Sequence, residues 1–328
     1  MRAKEAVAVV FIGSRRSAQV ARILMVLTAA AGVMVQAATP VSATVDPTGY
    51  QGTYAGFSAA NARAGGTLTC PAGRKAASAG AYLPSSDGAL TGLAPTQDGT
   101  GWYAAARLNS STGSELTVFG LCVPAAQVAA ASTIVLHDHR DRDTFHVQRS
   151  CPAGQLALAG GGFLHRPGQA PDPTDPVGAY GMYSLPTADG TGWEHTVSHS
   201  GSYGHRDYTF VLRCLPAADL PGSLGVSSVT AIPIGRTRGL TPVPVAGVAR
   251  CPAGSSAYAG GGLFAKANGE PVGELSTSAP SFDGRSWQVT GIGPGGGTLV
   301  VRVRCVASPP MWTYQAPPRT STLADQAS

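Results

Sequence analysis

Residues 149–165 read RSCPAGQLALAGGGFLH, and the tetrapeptide after Ser150 decides how this chain is organised. Cys-Pro-Ala-Gly occurs three times, and its cysteines are Cys70, Cys151 and Cys251. A glycine follows ten residues after each of them, at Gly80, Gly161 and Gly261. A motif that recurs with its spacing predicts three copies of one structural unit.

The similarity continues through the rest of each copy. A proline is followed by an Asp-Gly pair, with the aspartates at Asp98, Asp189 and Asp283. A tryptophan lies seven residues after that proline, at Trp102, Trp193 and Trp287. A second cysteine closes each copy, at Cys122, Cys214 and Cys305. The spacing varies most between the glycine and the proline, which places surface loops there.

The second half of each copy is typical of a β-hairpin that ends at cysteine. In copy two, Tyr208, Phe210 and Leu212 share one face with Cys214, and in copy three the matching residues are Leu299, Val301 and Val303. Period-2 alternation places this face in the core and the neighbours Thr209, Arg213, Arg302 and Arg304 on the opposite face.

These patterns assign structural roles to the repeated residues. The tryptophans are expected in the core near a sheet end, with a sugar-stacking platform as the alternative. The glycines allow a close backbone approach or a bulge. The aspartates are expected in turns, although three of them together could also bind hydroxyls or a cation.

Six cysteines predict three disulfides in an exported chain. The repetition leaves two symmetric arrangements. The first pairs cysteines within each copy, Cys70–Cys122, Cys151–Cys214 and Cys251–Cys305, and the second is a ring, Cys122–Cys151, Cys214–Cys251 and Cys305–Cys70. Pairing within copies is preferred, because each copy then ties its own strands together.

The composition favours an all-β fold of short antiparallel strands. The chain holds 43 Gly and 25 Pro in 328 residues, which is too many for a mostly helical protein, and 43% of it is hydrophobic. The three copies would form either one three-fold, β-prism-like body or three small β-sandwich-like units. The predicted boundaries are 1–43 for a signal peptide, 44–122, 123–214 and 215–306 for the copies, and 307–328 for a flexible tail.

The layout Cys-Pro-x-Gly, Gly-Gly-Gly, Gly-Trp, Cys resembles secreted actinobacterial repeat proteins without assigned function. More remotely, the three Cys-Pro-x-Gly units that each close with a second cysteine resemble the vitelline membrane outer layer protein family. That resemblance covers residues 65–306 and implies a three-fold β-prism associated with carbohydrate binding. The Gly-Trp element and the longer copies depart from the prism family, so no ligand residue is transferred.

The N-terminus has the order of an export signal. Arg15, Arg16 and Arg22 precede the apolar run 23–35, which is too short to span a bilayer, and Val41-Ser42-Ala43 is a small-residue cleavage site. Without residues 1–43 the chain has 18 basic and 17 acidic residues. This balance gives no evidence for nucleic-acid binding, and no other apolar run is long enough for a membrane helix. We therefore expect a secreted protein that binds neither nucleic acid nor, after cleavage, a membrane.

All seven histidines lie between residues 137 and 205, in copy two and the segment before it. His195 and His199 share a face with Trp193, and His137 and His139 lie upstream. These four histidines are the candidate metal ligands, although their spacing matches no known zinc motif. A solvated loop is the competing interpretation of this segment.

The sequence shows no nucleophile elbow, no zinc-protease motif and no phosphate-binding loop. We therefore expect a non-catalytic extracellular protein without a cofactor. Its role would be binding or structural, and polysaccharide or cell wall is the expected partner. The alternative is a metal-dependent extracellular hydrolase that uses the histidines of copy two.

Overall fold

The structure is a computed structural model. It describes residues 51–58, 63–83, 88–108, 115–140, 144–169, 179–199, 206–219, 226–235, 243–281 and 283–307. The predicted signal peptide and the tail from residue 308 lie outside these ranges. Within them, the prediction of an all-β fold is confirmed: strands account for all regular structure except two short 3-10 helices, Ala125–Val128 and Ala217–Asp219. No helix there is long and apolar enough to cross a membrane.

Within the described ranges, each copy contributes six strands. Copy one holds β1 (Gln51–Ser58), β2 (Arg63–Thr69), β3 (Arg74–Tyr82), β4 (Gly88–Pro95), β5 (Gly101–Leu108) and β6 (Glu115–Pro124). Copy two holds β7 (Ser132–Arg140), β8 (Thr144–Ser150), β9 (Gln155–His165), β10 (Ala179–Pro186), β11 (Gly192–His199) and β12 (Arg206–Pro216). Copy three holds β13 (Val226–Pro233), β14 (Val243–Arg250), β15 (Ser256–Ala265), β16 (Glu274–Pro280), β17 (Ser286–Gly293) and β18 (Thr298–Val306).

These strands form three antiparallel sheets of six strands, and every sheet draws on two copies. Sheet A has the order β1-β6-β3-β16-β17-β14, sheet B β2-β5-β4-β9-β12-β7, and sheet C β13-β18-β15-β10-β11-β8. In each sheet the first, sixth and third strands of one copy continue into the fourth, fifth and second strands of another. The alternative of three separate β-sandwich-like units does not fit this topology, because adjacent copies share their sheets.

The disulfides connect the two sheets to which each copy contributes. The bonds are Cys70–Cys122, Cys151–Cys214 and Cys251–Cys305. Pairing within copies is confirmed and the ring arrangement is wrong. In copy one, Cys70 follows β2 of sheet B and Cys122 lies in β6 of sheet A, so the bond holds the two halves of the copy together.

The glycines ten residues after the first cysteines lie where strands of different copies pair, a place we call the seam. A Cβ added to Gly161 of copy two would lie 1.8 Å from the carbonyl oxygen of Leu93 in copy one. At Gly261 the corresponding distance is 1.7 Å, to the carbonyl oxygen of Ser184. At Gly80 it is 2.6 Å, to the carbonyl oxygen of Ser278. The close approach expected from the sequence is thus an approach between copies.

The tryptophans lie in the core of their own copy. All three are buried, and the indole rings of Trp193 and Trp287 lie against Gly160 and Gly260. Trp193 Nε1 donates a hydrogen bond of 2.7 Å to Ser184 Oγ, which satisfies its polar atom. Trp287 makes the same bond to Ser278. In copy one Leu93 stands at the position of these serines, and the buried Trp102 Nε1 has no partner among the described residues.

The expected alternation is wrong for Thr209, Arg213 and Arg304, because all three are buried. Arg213 of copy two donates a hydrogen bond to the carbonyl of Ala76 in copy one and lies against Gly99. Arg304 of copy three makes the equivalent bond to Ala157 in copy two. Burial lowers the pKa of Arg304 to about 10, so its guanidinium stays charged at neutral pH. Each arginine therefore ties its copy to the preceding one.

Copy one has no such arginine, since Leu121 precedes Cys122 where Arg213 and Arg304 precede Cys214 and Cys305. A leucine side chain has no hydrogen-bond donor. No equivalent hydrogen bond from this position therefore joins copy one to copy three.

Replacing Gly161 with alanine tests the close approach between copies. Because the new methyl group would overlap the Leu93 carbonyl, we expect a loss of about 3 kcal/mol or more of unfolding free energy. Differential scanning calorimetry would show it as a lowered Tm. Gly235→Ala is the control, since its added methyl would meet nothing within 4 Å. Equal Tm values for the two variants would contradict this account of the seam.

Candidate functional site

The outer face of sheet A carries a groove at the seam between copies one and three. Its floor is a row of residues that stand opposite one another on four adjacent strands: Tyr82 on β3, Thr277 on β16, Thr290 on β17 and Ala246 on β14. We call it the Tyr82 groove. Its volume is about 360 Å³ and its lining residues are Tyr82, Leu83, Pro244, Val245, Ala246, Ser276, Thr277, Thr290, Gly291 and Ile292.

The lining has no charged side chain. Its polar groups are the phenol of Tyr82 and three hydroxyls, and Ser276 Oγ lies 2.9 Å from Thr290 Oγ1. The buried hydroxyl of Thr277 has no hydrogen-bond partner among the described residues. Leu83, Val245 and Ile292 add apolar surface. Such a surface suits an uncharged molecule with both hydroxyl groups and C–H faces.

The local sequence explains why no large side chain covers the Tyr82 groove. In sheet C, Tyr183 stands in the row at the position that Thr277 holds in sheet A. The Tyr183 hydroxyl lies 3.1 Å from Nδ1 of His146, so these two side chains cover that row. Small side chains replace both in sheet A, with Thr277 for Tyr183 and Ala246 for His146.

The corresponding row of sheet B is covered by aromatic rings. Phe163 stands opposite Gly92, and its ring centroid lies 5.3 Å from that of Tyr103. Tyr82, Phe163 and Leu263 are equivalent, because each lies twelve residues after its Cys-Pro-Ala-Gly cysteine. Tyr82 is 43% exposed, whereas Phe163 is 3% and Leu263 8% exposed. Of these three equivalent residues, only Tyr82, at the seam of sheet A, is thus exposed to solvent.

The repeated aspartates form turns in all three copies. Asp98 Oδ1 accepts hydrogen bonds from Thr96 Oγ1 at 2.7 Å and from the Thr100 amide at 3.0 Å. These bonds lower the pKa of Asp98 to about 2, and the bond from the Thr100 amide contributes most to the shift. Asp189 and Asp283 accept matching bonds from Thr or Ser and from a backbone amide. The carboxylates are thus occupied within their own turns.

The four candidate metal ligands are not brought together. His137 and His139 lie on β7 of sheet B, while His195 and His199 lie on β11 of sheet C. His137 Nδ1 is 3.0 Å from Thr209 Oγ1, and His139 pairs with Asp207. The side chain of His199 lies outside the described residues. Among the residues that are described, no group of three His, Cys, Asp or Glu side chains is arranged to hold a metal ion.

His195 is a core residue that joins the two sheets of copy two. It is fully buried, and its Nδ1 lies 2.8 Å from the hydroxyl of Tyr208 on β12. Its Nε2 has no partner within the described part of the chain. Burial lowers the pKa of His195 to about 3, with a smaller contribution from His146. The ring is therefore neutral in the folded protein at ordinary pH.

The variable spacing between the glycines and prolines predicts surface loops in each copy. Residues 84–87 and 170–178 of the first two loops lie outside the described ranges. The third loop is described, and Lys266 and Glu270 form an ion pair of 2.9 Å in it. This loop borders a cleft of about 550 Å³ that also includes Thr144, Ser198 and Glu274.

No protein-family model matches the chain, and no curated protein has significant sequence similarity to it. The candidate site therefore rests on the geometry of the chain itself. The repeated cysteines, glycines and tryptophans do not indicate the Tyr82 groove, because Tyr82 is not one of the repeated residues. The available signal was the residue two positions after each seam glycine, which is aromatic in copies one and two.

Replacing His195 with valine, the residue at the matching position 289 of copy three, tests its buried neutral state. The folded-state pKa of about 3 lies below the ordinary value of 6.5. The unfolded chain thus binds the proton more readily, and His195 destabilises the fold as pH falls from 6.5 toward 3. We expect a loss of about 1.4 kcal/mol per pH unit in that window for the unsubstituted protein relative to His195→Val.

Thermal unfolding at pH 7, 6, 5 and 4 measures this difference. The Tm of the unsubstituted protein should fall more steeply than that of His195→Val, and parallel curves would contradict the assignment. Other groups that titrate in this range, such as the carboxylates, are present in both proteins and do not affect the comparison.

Proposed function

We propose that this protein is a non-catalytic extracellular binding protein, and that its partner is a carbohydrate of a polysaccharide or cell wall. The observation that carries the proposal is the Tyr82 groove, with its exposed aromatic ring, three hydroxyls and no charged side chain. A tyrosine ring can stack on the C–H face of a sugar while nearby hydroxyls bond to the sugar hydroxyls.

The comparison of the three seams supports this site. Aromatic and imidazole side chains cover the rows of sheets B and C, and sheet A alone combines small floor residues with an exposed aromatic residue. Among the described residues, the large hydrophobic side chains with high exposure are Tyr82 and Val248. An exposed ring beside a groove is a feature of binding surfaces.

An extracellular location agrees with the covalent structure. All six cysteines are paired, and such bonds persist in oxidising compartments. The predicted signal at residues 1–43 supplies a route for export.

The test is retention of the exported protein on insoluble cellulose, chitin, xylan, mannan and bacterial cell walls. We expect retention on at least one of these materials, with and without a chelator, and about a tenfold loss of affinity in Tyr82→Ala. The exposed position of Tyr82 makes this substitution compatible with folding.

Val248→Ala is the matched control, because it removes exposed apolar surface on sheet A outside the groove. It should bind like the unsubstituted protein. Absence of retention on all five materials would reject carbohydrate binding, and equal retention of Tyr82→Ala would reject the groove as the site. Retention lost with the chelator would instead direct attention to the histidines of copy two.

A further inference from the structure

The length of the Tyr82 groove carries an inference about its ligand, which rests on the proposed function. The row Tyr82, Thr277, Thr290 and Ala246 crosses four adjacent strands. Three strand spacings of about 4.8 Å give a floor of about 14 Å. This is longer than a single sugar ring, so a monosaccharide at Tyr82 would leave the other end of the floor empty.

The far end of the groove is an exposed apolar edge. Pro244 and Ala246 of β14 are exposed and stand opposite Ile292 and Thr290 of β17. This end belongs to copy three, whereas Tyr82 belongs to copy one. A ligand that fills the groove would therefore contact two copies.

The charge of the lining restricts the ligand further. The side chains of the row and its borders offer hydroxyls and apolar surface but no cation for a carboxylate, sulfate or phosphate group. A charged sugar would lose hydration in the groove without gaining an ionic partner.

We infer that the Tyr82 groove binds a neutral oligosaccharide of at least two units, laid across strands β3, β16, β17 and β14. One sugar ring stacks on Tyr82 of copy one. A following unit lies over Ala246 and Pro244 of copy three. The hydroxyls of Thr290 and Ser276 lie between these two positions.

The experiment is isothermal titration calorimetry of the exported protein with cello-, chito-, xylo- and manno-oligosaccharides of one, two, four and six units. In the series that binds, the tetramer should bind at least tenfold more tightly than the monomer. An oligogalacturonate of the same length should bind no more tightly than the neutral tetramer.

Two variants locate the far end of the ligand. Ala246→Arg fills the β14 end of the groove and should lower tetramer affinity at least tenfold, toward that of the monomer. Val248→Arg places the same side chain two residues along the same exposed face, outside the groove, and should leave both affinities unchanged.

The outcomes separate this inference from the proposed function. Equal affinity for monomer and tetramer, or no effect of Ala246→Arg, would overturn the oligosaccharide inference while carbohydrate binding stands. Tighter binding of oligogalacturonate would overturn the neutral class. No binding of any sugar would reject both proposals.

Discussion

The structure depends on the close contact of backbones at three seams. Strands β3, β9 and β15 of one copy pair with strands β16, β4 and β10 of another, and their glycines lie directly against the opposing carbonyl groups. A side chain at these glycines would separate the strands. The contact is needed three times because each copy splits into two halves that enter different sheets. The disulfides then join the two halves of each copy.

This arrangement makes the copies equivalent in backbone and different in the side chains at their seams. The same row of positions occurs at every seam, and its side chains decide whether the row is covered. Tyr183 with His146 covers one row, and Phe163 with Tyr103 covers another. At the remaining seam the residues are small and Tyr82 stays exposed. The Tyr82 groove thus arises where the repeat lacks these covering side chains.

The buried polar residues make hydrogen bonds between copies or between sheets. Arg213 and Arg304 are buried because they reach a carbonyl group of the preceding copy, near turns whose aspartates supply negative charge. His195 is buried because it bridges two sheets through Tyr208. The histidines that lie close together in sequence are divided between sheets B and C. Their proximity in the chain therefore does not produce a common site.

The sequence by itself determined the all-β class, the three copies and a buried face for the hairpins of copies two and three, and it limited the cysteine pairing to two symmetric arrangements. These features depend on local spacing, on period-2 alternation and on symmetry, all of which are visible in one chain. It could not determine which copy supplies the neighbouring strand, because that choice involves contacts distant in sequence. Only the tertiary structure decided that adjacent copies share sheets, that two arginines lie inside, and that Tyr82 borders a groove. The physical reason is that the alternation of residues along a strand shows which of its two faces is buried. It does not show which other strand pairs with its edge.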